Sequence, residues 1–128
     1  RMMRYLNDIM FLYEGYEILQ YVIYIGKNKC SMKSRIDNKN IKFRYNLIDM
    51  KKIDCEKFLN ADKAEMVILA VLCDFGNKDK QEIINKILIR LKELSENENI
   101  FRRNLEILTI FSSNRNLEDN VEKGVEML

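Results

Sequence analysis

The sequence contains no histidine, proline or tryptophan, and only four glycines among its 128 residues. Without histidine there can be no Ser-His-Asp triad, no Cys-His pair and no histidine-ligated zinc or haem. The glycines are Gly15, Gly26, Gly76 and Gly124, which are too scattered for the glycine-rich loops that bind nucleotide phosphates. These absences exclude most histidine-dependent enzymes and the common nucleotide-binding folds.

The three cysteines, Cys30, Cys55 and Cys73, are an odd number and show no C-x-x-C spacing. That pattern disfavours both a zinc knuckle and a secreted disulfide framework, and we expect reduced thiols in a cytoplasmic protein. Cys73 lies in an apolar run and is predicted to be a small buried hydrophobe. No apolar stretch reaches the roughly 18 residues that span a membrane, and charged residues interrupt the N-terminus, so we expect no membrane partner and no signal peptide.

Charge is unevenly distributed along the chain. Residues 1–53 carry 11 Lys and Arg against 5 Asp and Glu, whereas residues 54–128 carry 11 against 15. The basic part favours contact with DNA or another polyanion. The alternative is a solubilising surface, because lysines on edge strands prevent aggregation.

The first part of the chain is predicted to form a helix and a small sheet. Apolar residues recur at helical spacing over residues 1–14. Residues 21–25 form a continuous β-branched and aromatic run, which is typical of a strand buried on both faces. Residues 41–48 alternate between apolar and polar side chains, and we expect this strand to pair in a hairpin with a short strand over residues 30–36.

The chain after residue 53 is predicted to be helical. Asp54 is expected to cap a short helix. Asp62 and Glu65 resemble a capping box that begins an apolar helix, and Gly76 is expected to end that helix.

Asn77 or Asp79 is predicted to begin the next helix. Its expected core stripe consists of Ile83, Ile84, Ile87, Leu88 and Leu91. A further amphipathic helix covers residues 99–112, and its expected apolar positions are Ile100, Phe101, Leu105, Leu108 and Phe111. The pattern predicts an α/β (α+β) fold with a helix and strands over residues 1–53 and a helical region over residues 54–128, packed on the same domain.

Asp49 and Lys51 follow the alternating run in a D-x-K pattern. On a strand, both side chains would lie on one face, where the carboxylate could hold Mg²⁺ and the lysine could polarise the attacking water. Such a site also needs an earlier acidic residue on a neighbouring strand, but Asp8 lies on the first predicted helix and Asp37 in a predicted turn. Asp49 and Lys51 are therefore weak catalytic candidates, and the alternative is a polar strand end that leads into a helix.

Arg1 and Tyr5 lie four residues apart at the start of the first predicted helix, and therefore on one face. A guanidinium and a phenol hydroxyl that project together can donate hydrogen bonds to a phosphate. The alternative, from general burial trends, is that Tyr5 lines the core.

The segment RMMRY at residues 1–5, followed by a strand that ends in Tyr24-Ile25-Gly26, resembles the recombination-promoting nuclease/putative transposase family. This family is a branch of the PD-(D/E)xK nucleases. In it, RM-x-RY-type segments follow the catalytic E-x-Q strand, and the strand after that helix commonly ends in a YxG- or YHG-like sequence. The resemblance implies that the N-terminal helix and small mixed sheet complete a restriction-endonuclease-like core, and that a C-terminal helical region follows.

The resemblance also implies roles for individual residues. Arg1 and Tyr5 are similar in position and spacing to the Q-x-x-x-Y helix motif of related nucleases, so Arg1, Arg4 and Tyr5 are expected to contact DNA phosphates. The family's metal-binding Asp and E-x-Q strand would lie before residue 1, and the chain begins with Arg1 rather than Met. We therefore expect part of a metal-dependent deoxyribonuclease or transposase that uses Mg²⁺. This chain alone is expected to hold no metal and to be inactive.

Two hypotheses about partners come from the residues themselves. The basic segment could track DNA phosphates, through Lys42 and Arg44 above all. The basic residues that this hypothesis names are Lys27, Lys29, Lys33, Arg35, Lys42 and Arg44. Alternatively, the apolar stripes and acidic surface of residues 54–128 favour a protein-interaction module that self-associates or docks on the full-length nuclease, without nucleic-acid chemistry. We expect self-association through residues 16–25 and 41–48, since an uncovered strand edge is adhesive.

Overall fold

The computed structural model describes residues Arg1–Leu128 and has mixed α/β structure, with six α-helices and four short strands. The mixed α/β class predicted from the sequence is confirmed. The chain divides into two compact units. The first comprises Arg1–Tyr24 and Asn28–Asp49, and the second comprises Ile25–Lys27 and Met50–Leu128.

The first unit contains helix α1 (Met2–Leu12) and strands β1 (Tyr21–Tyr24), β2 (Arg35–Asp37), β3 (Lys42–Arg44) and β4 (Asn46–Asp49). Strand β1 pairs in parallel with β4, and β2 pairs antiparallel with β3. The unit therefore holds two separate two-stranded sheets.

The alternating segment over residues 41–48 forms two strands rather than the single predicted strand. Tyr45 separates β3 from β4, so the two halves pair with different partners. The expected hairpin is present as β2 and β3, although the first strand covers only the last residues of the predicted 30–36 segment. Phe43 is buried, whereas Ile41, predicted on the same face, is exposed.

The prediction that residues 21–25 form a strand buried on both faces is wrong. The strand is present as β1, but Tyr21 is 58% exposed and Ile23 is 57% exposed. Because β1 pairs only with β4, and α1 buries none of its residues, no second layer in this unit covers that face.

The second unit is helical, with α2 (Glu56–Leu59), α3 (Ala64–Leu69), α4 (Lys80–Leu94), α5 (Glu98–Ser113) and α6 (Glu118–Glu126). Short 3-10 turns precede α2 and follow α3. No helix in the structure has the length and apolar character needed to cross a membrane.

Of the two predicted helix starts, the one at Asp79 is confirmed as predicted. At α2 the N-cap residue is Cys55 rather than the predicted Asp54, and the Cys55 side chain forms no cap hydrogen bond. The Asp54 carboxylate still accepts a hydrogen bond at 3.0 Å from the backbone N–H of Glu56, the first residue of α2. The Asp79 carboxylate accepts one from the N–H of Glu82 at 3.2 Å, which makes Asp79 the cap of α4. Each side chain satisfies a backbone donor that the helix itself leaves unpaired.

The capping box predicted at Asp62 and Glu65 is wrong. Lys63 precedes the first residue of α3, and no side chain caps this helix. The Asp62 carboxylate lies instead 3.7 Å from the Arg90 guanidinium. The helix also ends at Leu69 and continues as a 3-10 turn, rather than extending to Gly76.

The core of the second unit is built around α4. All five residues of its predicted stripe are fully buried, namely Ile83, Ile84, Ile87, Leu88 and Leu91. Cys73 is buried at 8% exposure, as predicted, although it follows the 3-10 turn rather than lying in the helix.

Helix α5 buries a different line of residues from the one predicted. Of the expected apolar positions only Leu108 is fully buried, and it lies between two buried polar residues, Asn104 and Ser112, at i−4 and i+4. The Asn104 amide donates a hydrogen bond to the Ser95 hydroxyl oxygen at 3.1 Å, and the Ser112 hydroxyl donates to a backbone carbonyl at 2.8 Å. These bonds compensate for the burial of the polar groups.

Candidate phosphate-contacting surfaces

The first turn of α1 presents the residues that the family resemblance singles out. The backbone N–H of Tyr5 donates to the carbonyl of Arg1 at 3.0 Å, so the two residues lie one turn apart. Arg1 and Arg4 are exposed, and Tyr5 is 48% exposed and does not line a core. No acidic residue lies in this turn. Two guanidinium groups and a phenol hydroxyl are therefore accessible to an anion.

Gln20 connects this turn to the β1–β4 sheet. Its side-chain Nε2 donates to the carbonyl of Met2 at 3.1 Å. Its backbone carbonyl accepts hydrogen bonds from the backbone N–H of Asn46 at 2.8 Å and from the Asn46 side chain at 3.2 Å. Gln20 is thus a positioning residue for the start of α1. The sequence does not single out Gln20, because a lone glutamine between two elements belongs to no periodic pattern.

Asp49 and Lys51 do not share the face of a strand. Strand β4 ends at Asp49, opposite Tyr24 of β1, and Lys51 lies in the following 3-10 turn, which begins with the buried Met50. The alternation of side chains ends with the strand, so the predicted placement of both residues on one strand face is wrong. The Lys51 ammonium donates a hydrogen bond to the carbonyl of Lys27 at 3.1 Å.

A cleft of about 320 Å³ lies in the second unit. Its charged lining residues are Lys51, Asp74, Lys80 and Arg115. The Arg115 guanidinium donates to the carbonyl of Ile25 at 2.9 Å and to the carbonyl of Leu72 at 3.2 Å. Arg115 therefore ties together segments that are far apart in the chain, which is a structural role.

The buried thiols are poor candidates for chemistry. Burial raises the pKa of the Cys73 thiol to about 12, and burial also raises the pKa of the Cys55 thiol. Nucleophilic attack and metal binding both require the thiolate, and these thiols stay protonated near neutral pH. No group of three or more His, Cys, Asp or Glu residues in the structure is arranged to hold a metal ion.

The β2–β3 hairpin carries the second predicted basic surface. Its register pairs Arg35 with Arg44, and Asp37 with Lys42. Alternation places these four side chains on one face, and all four residues are exposed. Lys42 and Arg44 are thus accessible, as a DNA contact requires. The sequence does not set Arg35 apart from the other basic residues of the segment, because only the strand register shows that it lies opposite Arg44.

No family model matches the chain, and neither a curated protein nor a solved structure with significant similarity was found.

Proposed function

We propose that this chain is part of a PD-(D/E)xK-type DNA nuclease of the recombination-promoting nuclease/putative transposase family. It would carry the helix and strands that follow the catalytic strands, together with the C-terminal helical region. The supporting observation is where the motifs lie. RMMRY begins helix α1, and β1 ends at Tyr24, the first residue of the YxG-like sequence. A helix followed by such a strand is the order that the family resemblance implies.

The uncovered face of β1 is consistent with this proposal. Tyr21 and Ile23 are more than half exposed on a strand whose one partner is β4. Exposed apolar side chains in such a patch are unfavourable in water, so a further layer is expected to cover them. In the proposed restriction-endonuclease-like core, strands from outside these 128 residues would supply that layer.

In this proposal the chain binds DNA but does not cut it. The guanidinium groups of Arg1 and Arg4 donate charge-assisted hydrogen bonds to a phosphate, and the Tyr5 hydroxyl adds a neutral donor. The described residues do not form a carboxylate set for the Mg²⁺ that the family implies. The metal ligands, and the cleavage that the metal supports, would belong to another part of the nuclease.

The test compares the 128-residue chain with the product of the whole reading frame that encodes it. We expect the whole product to nick supercoiled plasmid DNA with Mg²⁺ and not with EDTA, and the 128-residue chain to leave the plasmid intact. In the whole product, Arg4→Ala combined with Tyr5→Phe should lower the nicking rate about tenfold or more, because charged hydrogen bonds contribute about 1.5–3 kcal/mol.

Asn7→Ala is the matched control, since Asn7 is an exposed residue of the same helix outside the proposed contact. Circular dichroism would establish that the variants remain folded. A whole product that does not nick DNA with either Mg²⁺ or Mn²⁺ would overturn the nuclease proposal, whether or not it binds DNA.

A second candidate function is a protein-interaction module that acts without nucleic-acid chemistry. The observation that favours it is the exposed apolar surface of the first unit. Besides β1, this surface includes Met10, Phe11, Leu12, Tyr13, Tyr16 and Leu19. We expect the chain to self-associate through this surface, or to dock on the full-length nuclease.

Sedimentation velocity over a range of concentrations tests this candidate. Ile23→Lys should shift the chain towards monomer, because it places a charge on the exposed face of β1. Lys29→Ala, a charge change on an exposed residue outside the strands, is the control. A chain that is monomeric at every concentration and ignores added full-length protein would contradict it.

A further inference from the structure

The hairpin places two like charges directly opposite each other. In the β2–β3 register Arg35 is paired with Arg44, and one step along Asp37 is paired with Lys42. The first pair carries two positive charges, whereas the second is neutral overall. The net positive charge of this face therefore comes from the Arg35–Arg44 pair.

The hydrogen bonds flanking the hairpin show how close these pairs are. The N–H of Tyr45 donates to the carbonyl of Ser34 at 2.9 Å, and the N–H of Asn38 donates to the carbonyl of Ile41 at 2.9 Å. Hydrogen-bonded and non-hydrogen-bonded pairs alternate along an antiparallel ladder. Both charged pairs are therefore of the non-hydrogen-bonded kind, whose Cα atoms are only about 4.5 Å apart.

Neither member of the arginine pair has an acidic residue directly opposite it. Neither Arg35 nor Arg44 takes part in an ion pair in this structure, and both are exposed. Asp37 and Lys42 form no ion pair either, so Asp37 offsets the charge of Lys42 only through its position opposite it in the register. Like charges directly opposite each other destabilise a strand pair. An anion held between the two guanidinium groups would replace this repulsion with two attractive contacts.

The hairpin holds the arginine pair on a well-connected backbone. The Asn38 side chain accepts hydrogen bonds from the backbone N–H groups of Asn40 and Ile41, at 3.0 and 2.9 Å, which closes the turn. At the other end, the Tyr45 hydroxyl donates to the carbonyl of Lys33 at 2.5 Å. The hairpin backbone therefore loses less conformational freedom when a ligand binds, which favours affinity.

We propose that Arg35 and Arg44 form a clamp for one phosphodiester group of duplex DNA, and that Lys42 contributes little because Asp37 lies opposite it. Guanidinium groups suit this role, since their planar forks donate pairs of hydrogen bonds to phosphate oxygens. The inference rests on the DNA-binding role proposed above. It differs from the sequence-based hypothesis, which names Lys42 and Arg44 as the DNA contacts of this segment.

The test is fluorescence anisotropy of a labelled DNA duplex titrated with the 128-residue chain at several NaCl concentrations. Arg35→Gln and Arg44→Gln should each weaken binding about tenfold and reduce the slope of log K against log salt by about 1, as expected for one lost phosphate contact. Lys42→Gln removes the same charge from the same face, so it is the matched control. It should change the affinity less than about twofold, because the opposite charge of Asp37 lies directly across from it in the register.

Two further variants separate the clamp from general electrostatics and from misfolding. Asp37→Asn should tighten binding, because it leaves Lys42 uncompensated. Arg35→Lys keeps the charge and the fold of the hairpin but loses the fork, and should weaken binding while leaving the salt slope nearly unchanged.

Equal effects of Lys42→Gln and Arg35→Gln would overturn the clamp, and so would a wild-type chain that does not bind the duplex at low salt. Competition by polyglutamate as strong as by unlabelled duplex would overturn the assignment to DNA, because carboxylates would then serve equally well. The nicking assay on the whole product is separate. Arginine-specific binding without nicking would overturn the nuclease proposal alone, whereas nicking with equal variant effects would overturn the clamp alone.

Discussion

Gly124 lies where α6 packs on α4 without room for a side chain. A Cβ atom at this position would clash with Cδ1 of Leu88 and would lie 2.9 Å from Oδ1 of Asn85. Leu88 is fully buried, so its methyl group cannot move into solvent. Replacing Gly124 with alanine therefore tests the packing of these two helices.

Opposing effects set the size of the change in the free energy of unfolding that this substitution causes. Alanine favours the helix over glycine by about 1 kcal/mol, whereas overpacking a close-packed core costs about 1–3 kcal/mol. If α6 moves outwards to relieve the contact, it strains the pair of hydrogen bonds that joins Gln81 to Asn120, both 2.9 Å long. Each of these bonds is worth about 1 kcal/mol. The loss of one of these bonds would cancel the gain in helix propensity, so we expect Gly124→Ala to lower the free energy of unfolding by about 1–3 kcal/mol.

Urea denaturation followed by circular dichroism measures this change as a lower midpoint at an unchanged slope. Glu122→Ala is the matched control, because Glu122 is exposed on the same helix and its loss should change stability by less than about 0.5 kcal/mol. In a double-mutant cycle, Leu88→Ala removes the clashing group, so the double variant should be less destabilised than the sum of the single variants. A Gly124→Ala protein that is more stable by the helix-propensity difference would refute the reasoning.

Three further outcomes are expected. Burial raises the pKa of the Cys73 thiol to about 12, so the folded state keeps a proton that the unfolded state releases near pH 9. The free energy of unfolding should therefore fall between about pH 9 and pH 12, by at most about 4 kcal/mol. The urea midpoint of Cys73→Ala should decline less steeply than that of wild type over this range, and parallel curves would contradict the assignment. In the native protein a thiol reagent at pH 8 should modify Cys30 before Cys55, because Cys30 is half-buried and Cys55 is fully buried; mass spectrometry of the labelled peptides checks the order, and simultaneous labelling would argue against it. Asn104→Ala should lower the free energy of unfolding by about 1–3 kcal/mol, because it removes the amide that donates to Ser95 from a buried site; a urea midpoint equal to wild type would contradict this expectation.

The helices of the second unit could largely be predicted from the sequence because their signals are local. Asp79 accepts a hydrogen bond from an N–H three residues away, and the α4 stripe repeats at the helical period. The same pattern did not predict the start of α3 correctly, because Lys63 rather than Asp62 is the N-cap residue and the predicted box is one residue out of position. Local patterns predict that a helix begins better than they predict the residue at which it begins.

The strands were less predictable because a strand's partner is not a local property. Period-two alternation over residues 41–48 could not show that the chain breaks at Tyr45 and pairs with two different strands. It also could not show which face of β1 is covered, because burial depends on the neighbouring layer rather than on the strand's own side chains.

The sequence by itself determined the mixed α/β class, the α4 core and the presence of a basic segment beside RMMRY, because these depend on composition and on neighbours within a few residues. Only the tertiary structure decided which charges act together. Strand register placed Arg35 opposite Arg44 and Lys42 opposite Asp37, and the end of β4 separated Asp49 from the turn that holds Lys51. Electrostatic interactions act through space, so the candidate phosphate contacts depend on pairing that no single segment encodes.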